Sequence, residues 1–230
     1  MSSDALIVFA KPPTPGRVKT RLTPVLSEEA AAALYAAFLK DALLQYAPLP
    51  VDVRLYLGDA APSVEAWTQE HTDAEVHVQH GPGLGKRMAR AFVESFAAGY
   101  ERLVIIGTDH PTLPTPFIEQ AFERLDTARA VTLGPSSDGG YYLLGMNDYF
   151  PELFHEMTYS HAQVFDETLA RAHAAGAQVT ILPPWYDVDE PADLHRLTED
   201  LADRPSSVAP HTRAQLEALS PPGAQAPGRA

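Results

Sequence analysis

Lys11, Arg17, Lys19 and Arg21 crowd one short stretch, residues 5–27, that contains no aspartate or glutamate. A second acid-free stretch, residues 76–93, holds Lys86, Arg87 and Arg90. These 41 positions carry seven of the chain's 17 basic residues and none of its 30 acidic ones. An even spread would put about three bases and about five acids there. The whole chain has a formal net charge of −13. Ordinary solvated turns are one explanation for such a contrast. A pocket for an anion of limited size is the other, and a phosphate or diphosphate fits it.

The first stretch is stiffened as well as basic. Lys11-Pro-Pro-Thr-Pro-Gly16 has three prolines and a glycine in six residues. Thr14-Pro15-Gly16 suits a type II turn, with glycine where φ must be positive. A rigid loop holds its cations in place before a ligand arrives, which lowers the entropic cost of binding. Lys11, Gly16, Arg17, Lys19 and Arg21 are therefore candidates for phosphate binding. In the second stretch, Gly81-Pro-Gly-Leu-Gly-Lys-Arg87 opens a helix whose free N–H groups can add to anion binding. Gly83, Gly85 and Arg87 join the candidates. Neither GxxxxGK[ST] nor GxGxxG occurs in these stretches.

Three carboxylate positions complement the bases. Asp109 follows the apolar run Leu103–Ile106 and suits either a turn aspartate or a metal ligand. Asp189, in Asp187-Val-Asp189-Glu190-Pro191, suits a helix cap or a second ligand. Mg²⁺ and Mn²⁺ take oxygen ligands, commonly one or two carboxylates plus phosphate oxygens. Asp109 with Asp189 could supply that pair, with Asp187 the alternative second ligand. Asp138 lies in Gly134-Pro-Ser-Ser-Asp138-Gly139-Gly140-Tyr141, which reads as a hairpin turn or as a close-approach site for a ligand. There Asp138 could bind sugar hydroxyls or act as a base, beside Gly139, Gly140 and Tyr141.

Other polar residues carry weaker signals. His71, His77 and His80 match no zinc spacing. Ser160-His161 lacks the GxSxG elbow of a hydrolase. Trp67 and Trp185 read as packing residues.

The elements that must position these groups alternate along the chain. Ala5–Phe9 is a continuous apolar run, as in a strand covered on both faces. Ser27 caps a helix with Glu28 and Glu29 in its first turn and a stripe from Leu34 to Tyr46. Val51, Val53, Leu55 and Leu57 alternate with polar residues as a second strand, and Glu75–Gln79 forms a third. Leu84, Met88, Phe92 and Phe96 mark a helix, followed by the strand Leu103–Ile106. A helix near Pro116–Leu125 leads to strands at Ala130–Leu133 and Tyr141–Met146. His161–Ala174 is read as helix, Gln178–Leu182 as strand and Pro191–Leu201 as the last helix. Such alternation implies an α/β fold with a mostly parallel twisted sheet flanked by helices. Ligands then sit beyond the carboxyl ends of the strands.

Composition bounds the rest. The chain has 230 residues, of which 45% are hydrophobic, enough to bury a sizeable core. The expected domain spans 4–202. Residues 203–230, rich in Pro and Ala, read as a disordered tail, with a short helix around Thr212–Leu219 as the alternative. The acidic balance argues against nucleic acid and anionic membrane as partners. No apolar run approaches the roughly 20 residues of a membrane span. The chain contains no cysteine, which rules out disulfides and thiolate metal sites and agrees with a cytoplasmic location.

Phe9-Ala-Lys-Pro-Pro-Thr-Pro-Gly-Arg-Val-Lys-Thr-Arg-Leu22 resembles the opening motif of the bacterial radical-SAM/selenodomain-associated transferases. Gly83-Leu-Gly-Lys-Arg-Met88, Ile106-Gly-Thr-Asp-His-Pro111, Gly134–Tyr141 and Asp187-Val-Asp189 resemble its later motifs in order, across roughly residues 5–200. That resemblance implies a single GT-A domain of the nucleotide-diphospho-sugar transferase superfamily. It implies an enzyme that moves a sugar from a nucleoside diphosphate donor to a small-molecule acceptor, with Mg²⁺ or Mn²⁺ at Asp109. Lys19, Asp109 and Asp138 are then the expected catalytic residues. The layout is also similar to guanylyltransferases that act on small phosphorylated or acidic substrates, which makes nucleotidyl transfer the alternative. Nucleotide binding without turnover is a third reading. The chain has Thr108-Asp109-His110 in place of the usual glycosyltransferase DxD.

Overall fold

The structure is a computed structural model and describes residues 2–219. The apolar opening run forms β1 (Asp4–Ala10), an interior strand of the sheet beside its central strand. Then come α1 (Glu28–Tyr46), β2 (Asp52–Leu57), α2 (Pro62–His71), β3 (Glu75–Val78), α3 (Leu84–Ala97), β4 (Arg102–Ile106) and α4 (Thr115–Glu123). The second half adds β5 (Ala130–Pro135), β6 (Tyr141–Met146), α5 (Val164–Ala174), β7 (Gln178–Ile181), α6 (Pro191–Ala202) and α7 (Pro210–Leu219).

The seven strands lie in the order β3-β2-β1-β4-β6-β5-β7. β6 pairs antiparallel with both neighbours, and every other pairing is parallel. Val8 of β1 stands beside Leu55 of β2 and Ile106 of β4, so all three strands end at one edge. The chain runs outward from β1 through β2 to β3, then returns to place β4 on the other side. The crevice between the ends of β1 and β4 is thus the point where strand order reverses, the usual ligand position in such sheets.

Helices cover both faces. Leu39, Leu43 and Tyr46 of α1 pack on one face with Ile118 and Phe122 of α4. Met88 and Phe92 of α3, with Ala172 of α5, cover the other. A third cluster joins Leu34, Tyr35 and Phe38 of α1 to Val18, Leu22, and Leu197 and Leu201 of α6. That cluster matters for the site, because it seats the basic loop on α1.

Four local differences from the sequence reading have physical causes. α2 buries only Val64 and Thr68, too thin a stripe to give a periodic signal. β2 is covered on both faces, so Arg54 is buried there, paired with Glu75 at 3.0 Å and set over the Tyr100 ring. α5 starts at Val164 rather than His161, after a loop in which Glu156 and Ser160 adopt positive φ. Within the expected disordered tail, residues 210–219 instead form α7. The Asp41 carboxylate of α1 accepts the N–H groups of His211 (3.0 Å) and Thr212 (2.7 Å) at its start. That partner lies 170 positions away, so local composition could not reveal it. Residues 220–230 of the expected tail lie outside the described residues.

Candidate active site

Two chambers open at the edge where β1 and β4 end. The inner one, about 350 Å³, has walls from Phe9, Ala10, Leu84, Ile105, Ile106, Tyr141 and Tyr142, with Gln79 and His110 among its polar groups. The outer one, about 580 Å³, is lined by Arg17, Thr20, Arg21, Asp138, Gly140, Ser160 and His161. Lys11, Lys19, Leu84, Asp109, Tyr141 and Asp189 line both. Both volumes suit small-molecule sites.

The basic loop is built as its sequence requires. The Arg17 N–H donates to the Thr14 carbonyl at 3.0 Å, and Gly16 has φ 72°, as position three of a type II turn demands. Gly16 itself touches neither chamber. Lys19 follows in a left-handed conformation, φ 47° and ψ 37°, that a lysine rarely adopts. Residues in such strained conformations concentrate at functional sites. Its side chain is 3% exposed, and its ammonium pairs with Asp109 and, at 2.9 Å, with Asp189. The rings of Tyr35 and Phe38 lie 5.8 and 5.7 Å from the ammonium.

The electrostatics follow from this burial. Burial alone would lower the Lys19 pKa, but Asp109 and Asp189 outweigh it and hold the pKa above the ordinary lysine range. Burial alone would raise Asp109, and the adjoining Lys19 ammonium overrides it and keeps the carboxylate ionised. Asp187 has no such cation. Burial pushes it up to about 7, with Asp109, Asp189 and Asp138 adding to the shift and a hydrogen bond from Ser136 opposing it. His110 is 3% exposed, its Nε2 has no hydrogen-bond partner, and burial lowers it to about 4, so it is neutral.

Asp189 does not cap α6, the helix that follows it. Glu190 is the N-cap of α6, in a capping box with Asp193, whose carboxylate accepts the N–H groups of Asp189 (3.0 Å) and Glu190 (2.8 Å). Asp189 is thereby free to face Lys19. Asp138 accepts the Gly140 N–H at 2.9 Å, which fixes its carboxylate on the outer chamber. Gly139 has φ 89°, and a β-carbon there would lie 2.1 Å from the Ala162 carbonyl oxygen. The β5–β6 turn is therefore both a hairpin and a close-packed chamber wall.

The second basic stretch is placed differently from the sequence reading. Among its residues only Gln79 and Leu84 line a chamber. Gly83, φ 79°, starts α3 in open space. Gly85 is a packing position, where a β-carbon would lie 2.5 Å from the Tyr159 ring. The Arg87 Nε donates to the Gly81 carbonyl at 3.0 Å, and its guanidinium lies beside Gly58 at the rim. Lys11, Arg17, Lys19, Arg21, Asp109, Asp138, Gly140, Tyr141 and Asp189 do converge.

Sequence reasoning missed several groups in the walls. Tyr35 counted only as core, yet its hydroxyl accepts the Lys11 N–H at 2.9 Å and the Thr108 hydroxyl at 3.1 Å. Ser160 and His161 line the outer chamber without any hydrolase arrangement. Asp187, the alternative to Asp189 in the sequence reading, lines the inner chamber.

The expected Mg²⁺ or Mn²⁺ can be tested against these groups. Among the described residues, no cluster of three or more His, Cys, Asp or Glu is arranged as a ready cage. Asp109 and Asp189 do converge on one cation seat, and the Lys19 ammonium is the stand-in that shows it. Their donors are carboxylate oxygens, the type hard divalent cations prefer. The residues fit the ion.

Among the described residues, no helix is long and apolar enough to cross a membrane. No curated protein matches the chain by sequence. A candidate nucleotide-diphospho-sugar transferase from Desulfovibrio desulfuricans G20 is 33% identical, with 95% of this chain and 97% of that one covered and a TM-score of 0.85. CMP:2-keto-3-deoxy-manno-octonic acid synthetase, solved with CTP, has 14% identity, coverage of 87% and 99%, and a TM-score of 0.52. The inositol-1-phosphate CTP transferase from T. maritima has 15% identity, coverage of 94% and 97%, and a TM-score of 0.53. These last two show a shared fold. Residues 43–161, just over half of the chain, match the family described as an uncharacterized protein conserved in bacteria, DUF2064. The chain therefore belongs to the DUF2064 family.

Proposed function

We propose that this protein is a nucleotide-dependent transferase that moves a sugar from a nucleoside diphosphate donor to a small-molecule acceptor. One observation carries the reading: an apolar-walled chamber and a polar chamber share a junction that holds both the cations and the carboxylates. A base and ribose suit the inner chamber. The diphosphate lies at the junction, where Lys11, Arg17 and Arg21 bind its oxygens. Sugar and acceptor meet in the outer chamber, where Asp138 accepts a hydroxyl proton or orients that hydroxyl. The likeness to the Desulfovibrio protein supports the same reading. The resemblance of the opening motif to the radical-SAM/selenodomain-associated transferases supports assigning the chain to that branch.

Asp109 and Asp189 would hold the Mg²⁺ or Mn²⁺. When bound, that ion neutralises charge on the departing diphosphate. The protein's own part is to pre-position cations, so that little reorganisation is needed as charge develops.

Nucleotidyl transfer is the second reading, favoured by the four cationic side chains Lys11, Arg17, Lys19 and Arg21 around one junction. That number suits a triphosphate, with pyrophosphate leaving. Product analysis separates the readings. The protein is given NDP-sugars or NTPs with Mg²⁺ or Mn²⁺ and small hydroxylic or phosphorylated acceptors. Released nucleoside diphosphate supports sugar transfer, and released pyrophosphate supports nucleotidyl transfer. Thermal stabilisation by nucleotide with no product would leave a binding protein. No stabilisation by any nucleotide would overturn the proposal.

A further inference from the structure

We propose that Lys19 and a divalent cation compete for Asp109 and Asp189, so that the ion binds strongly only when nucleotide phosphate draws the lysine away. This rests on the nucleotide reading above. The Lys19 ammonium already pairs with Oδ1 of both aspartates. A cation arriving from the chambers meets those oxygens occupied, and a buried positive charge beside them. In a low-dielectric site that repulsion is not screened away.

Lys19 has an alternative partner only when ligand is present. It lines both chambers, so a phosphate at the junction lies within its reach. Lys11 and Arg17 line the outer chamber too, and among the described residues neither has a carboxylate within ion-pair distance. These two cations are available to draw the phosphate in. Lys19 then exchanges carboxylates for phosphate oxygens, and the freed carboxylates take the metal ion. By linkage, whatever factor the nucleotide lends to metal binding, the metal lends to nucleotide binding. Free metal ions would thereby be kept off the site until substrate is present.

The test compares Mn²⁺ binding to wild type and to Lys19→Met, by the electron paramagnetic resonance signal of free Mn²⁺, without nucleotide. The variant is expected to bind Mn²⁺ alone at least about tenfold more tightly, within the usual span of coupling between sites. Equal or weaker binding would overturn the competition. A wild-type measurement guards against misfolding of the variant. The chain has four lysines, so [¹⁵N]lysine labelling resolves the buried ammonium. Mg²⁺ alone should leave that signal in place, and Mg²⁺ with a nucleoside diphosphate should move it. A signal unmoved by both together, although the nucleotide binds, contradicts the exchange. Should no nucleotide bind at all, the functional reading itself falls.

Discussion

Tyr35 of α1 and Thr108, just past β4, meet hydroxyl to hydroxyl at 3.1 Å in a buried position. The same Tyr35 oxygen accepts the Lys11 N–H at 2.9 Å. One phenol thus ties the end of β1 to the end of β4, and with them the basic loop to the acidic one. Tyr35→Phe keeps the ring but leaves the Lys11 N–H and the Thr108 hydroxyl without this partner. Stability should fall by about 1–3 kcal/mol, the cost of an unsatisfied buried group. Urea unfolding measures it, and an unchanged midpoint would show that the tie carries no weight.

Gly139 cannot be replaced cheaply. Its φ of 89° and the Ala162 carbonyl beside it leave no room for a β-carbon. Gly139→Ala should displace residues 160–162 from the outer chamber and weaken acceptor binding. We expect the acceptor KM to rise at least about tenfold, since small displacements of a positioning wall are costly. Nucleotide affinity should hold. A parallel loss of nucleotide affinity would contradict the division into two chambers.

The Asp41 carboxylate at the start of α7 predicts a local effect. Asp41→Ala should cost about 1–2 kcal/mol, as other helix caps do. It should also expose 203–219 to limited proteolysis. Unaltered protease resistance would mean that packing alone holds the helix.

The strands and most helices were legible because their apolar runs are local signals. β1 reads as doubly covered from five successive residues, Ala5–Phe9. The acid-free basic stretch and the strand-end Asp109 were legible too, since composition and position both mark them. The hydrogen bond from Arg87 to the Gly81 carbonyl was not, because it depends on loop geometry. Neither was the cap that α1 supplies to α7, a helix the sequence offered only as an alternative to a disordered tail, nor the role of Tyr35, whose two partners lie 24 and 73 positions away. Local pattern shows what a residue can do, and tertiary contacts decide what it does.

Asp187 predicts a pH dependence. Its pKa in the folded chain, about 7, is raised above the ordinary 3.8. The folded state therefore holds this proton more tightly than the unfolded state does. That stabilisation is complete below about 4 and is lost as pH rises through 7. Asp187→Asn cannot ionise. In metal-free buffer, the melting temperature of the variant relative to wild type should rise between pH 4 and pH 8. A difference that stays flat would mean Asp187 is not driven toward its neutral form.

Lys11, at the junction, and Arg17, in the outer chamber beside it, are exposed, so removing them leaves the core intact. Calorimetric titration of a nucleoside diphosphate with Mg²⁺, into wild type and the Lys11→Ala/Arg17→Ala double variant, asks directly whether the junction holds phosphate. At roughly 1.5–3 kcal/mol for each hydrogen bond to a charged group, the double variant should bind at least about a hundredfold more weakly. Equal affinity in the two proteins would place the nucleotide elsewhere and contradict the account.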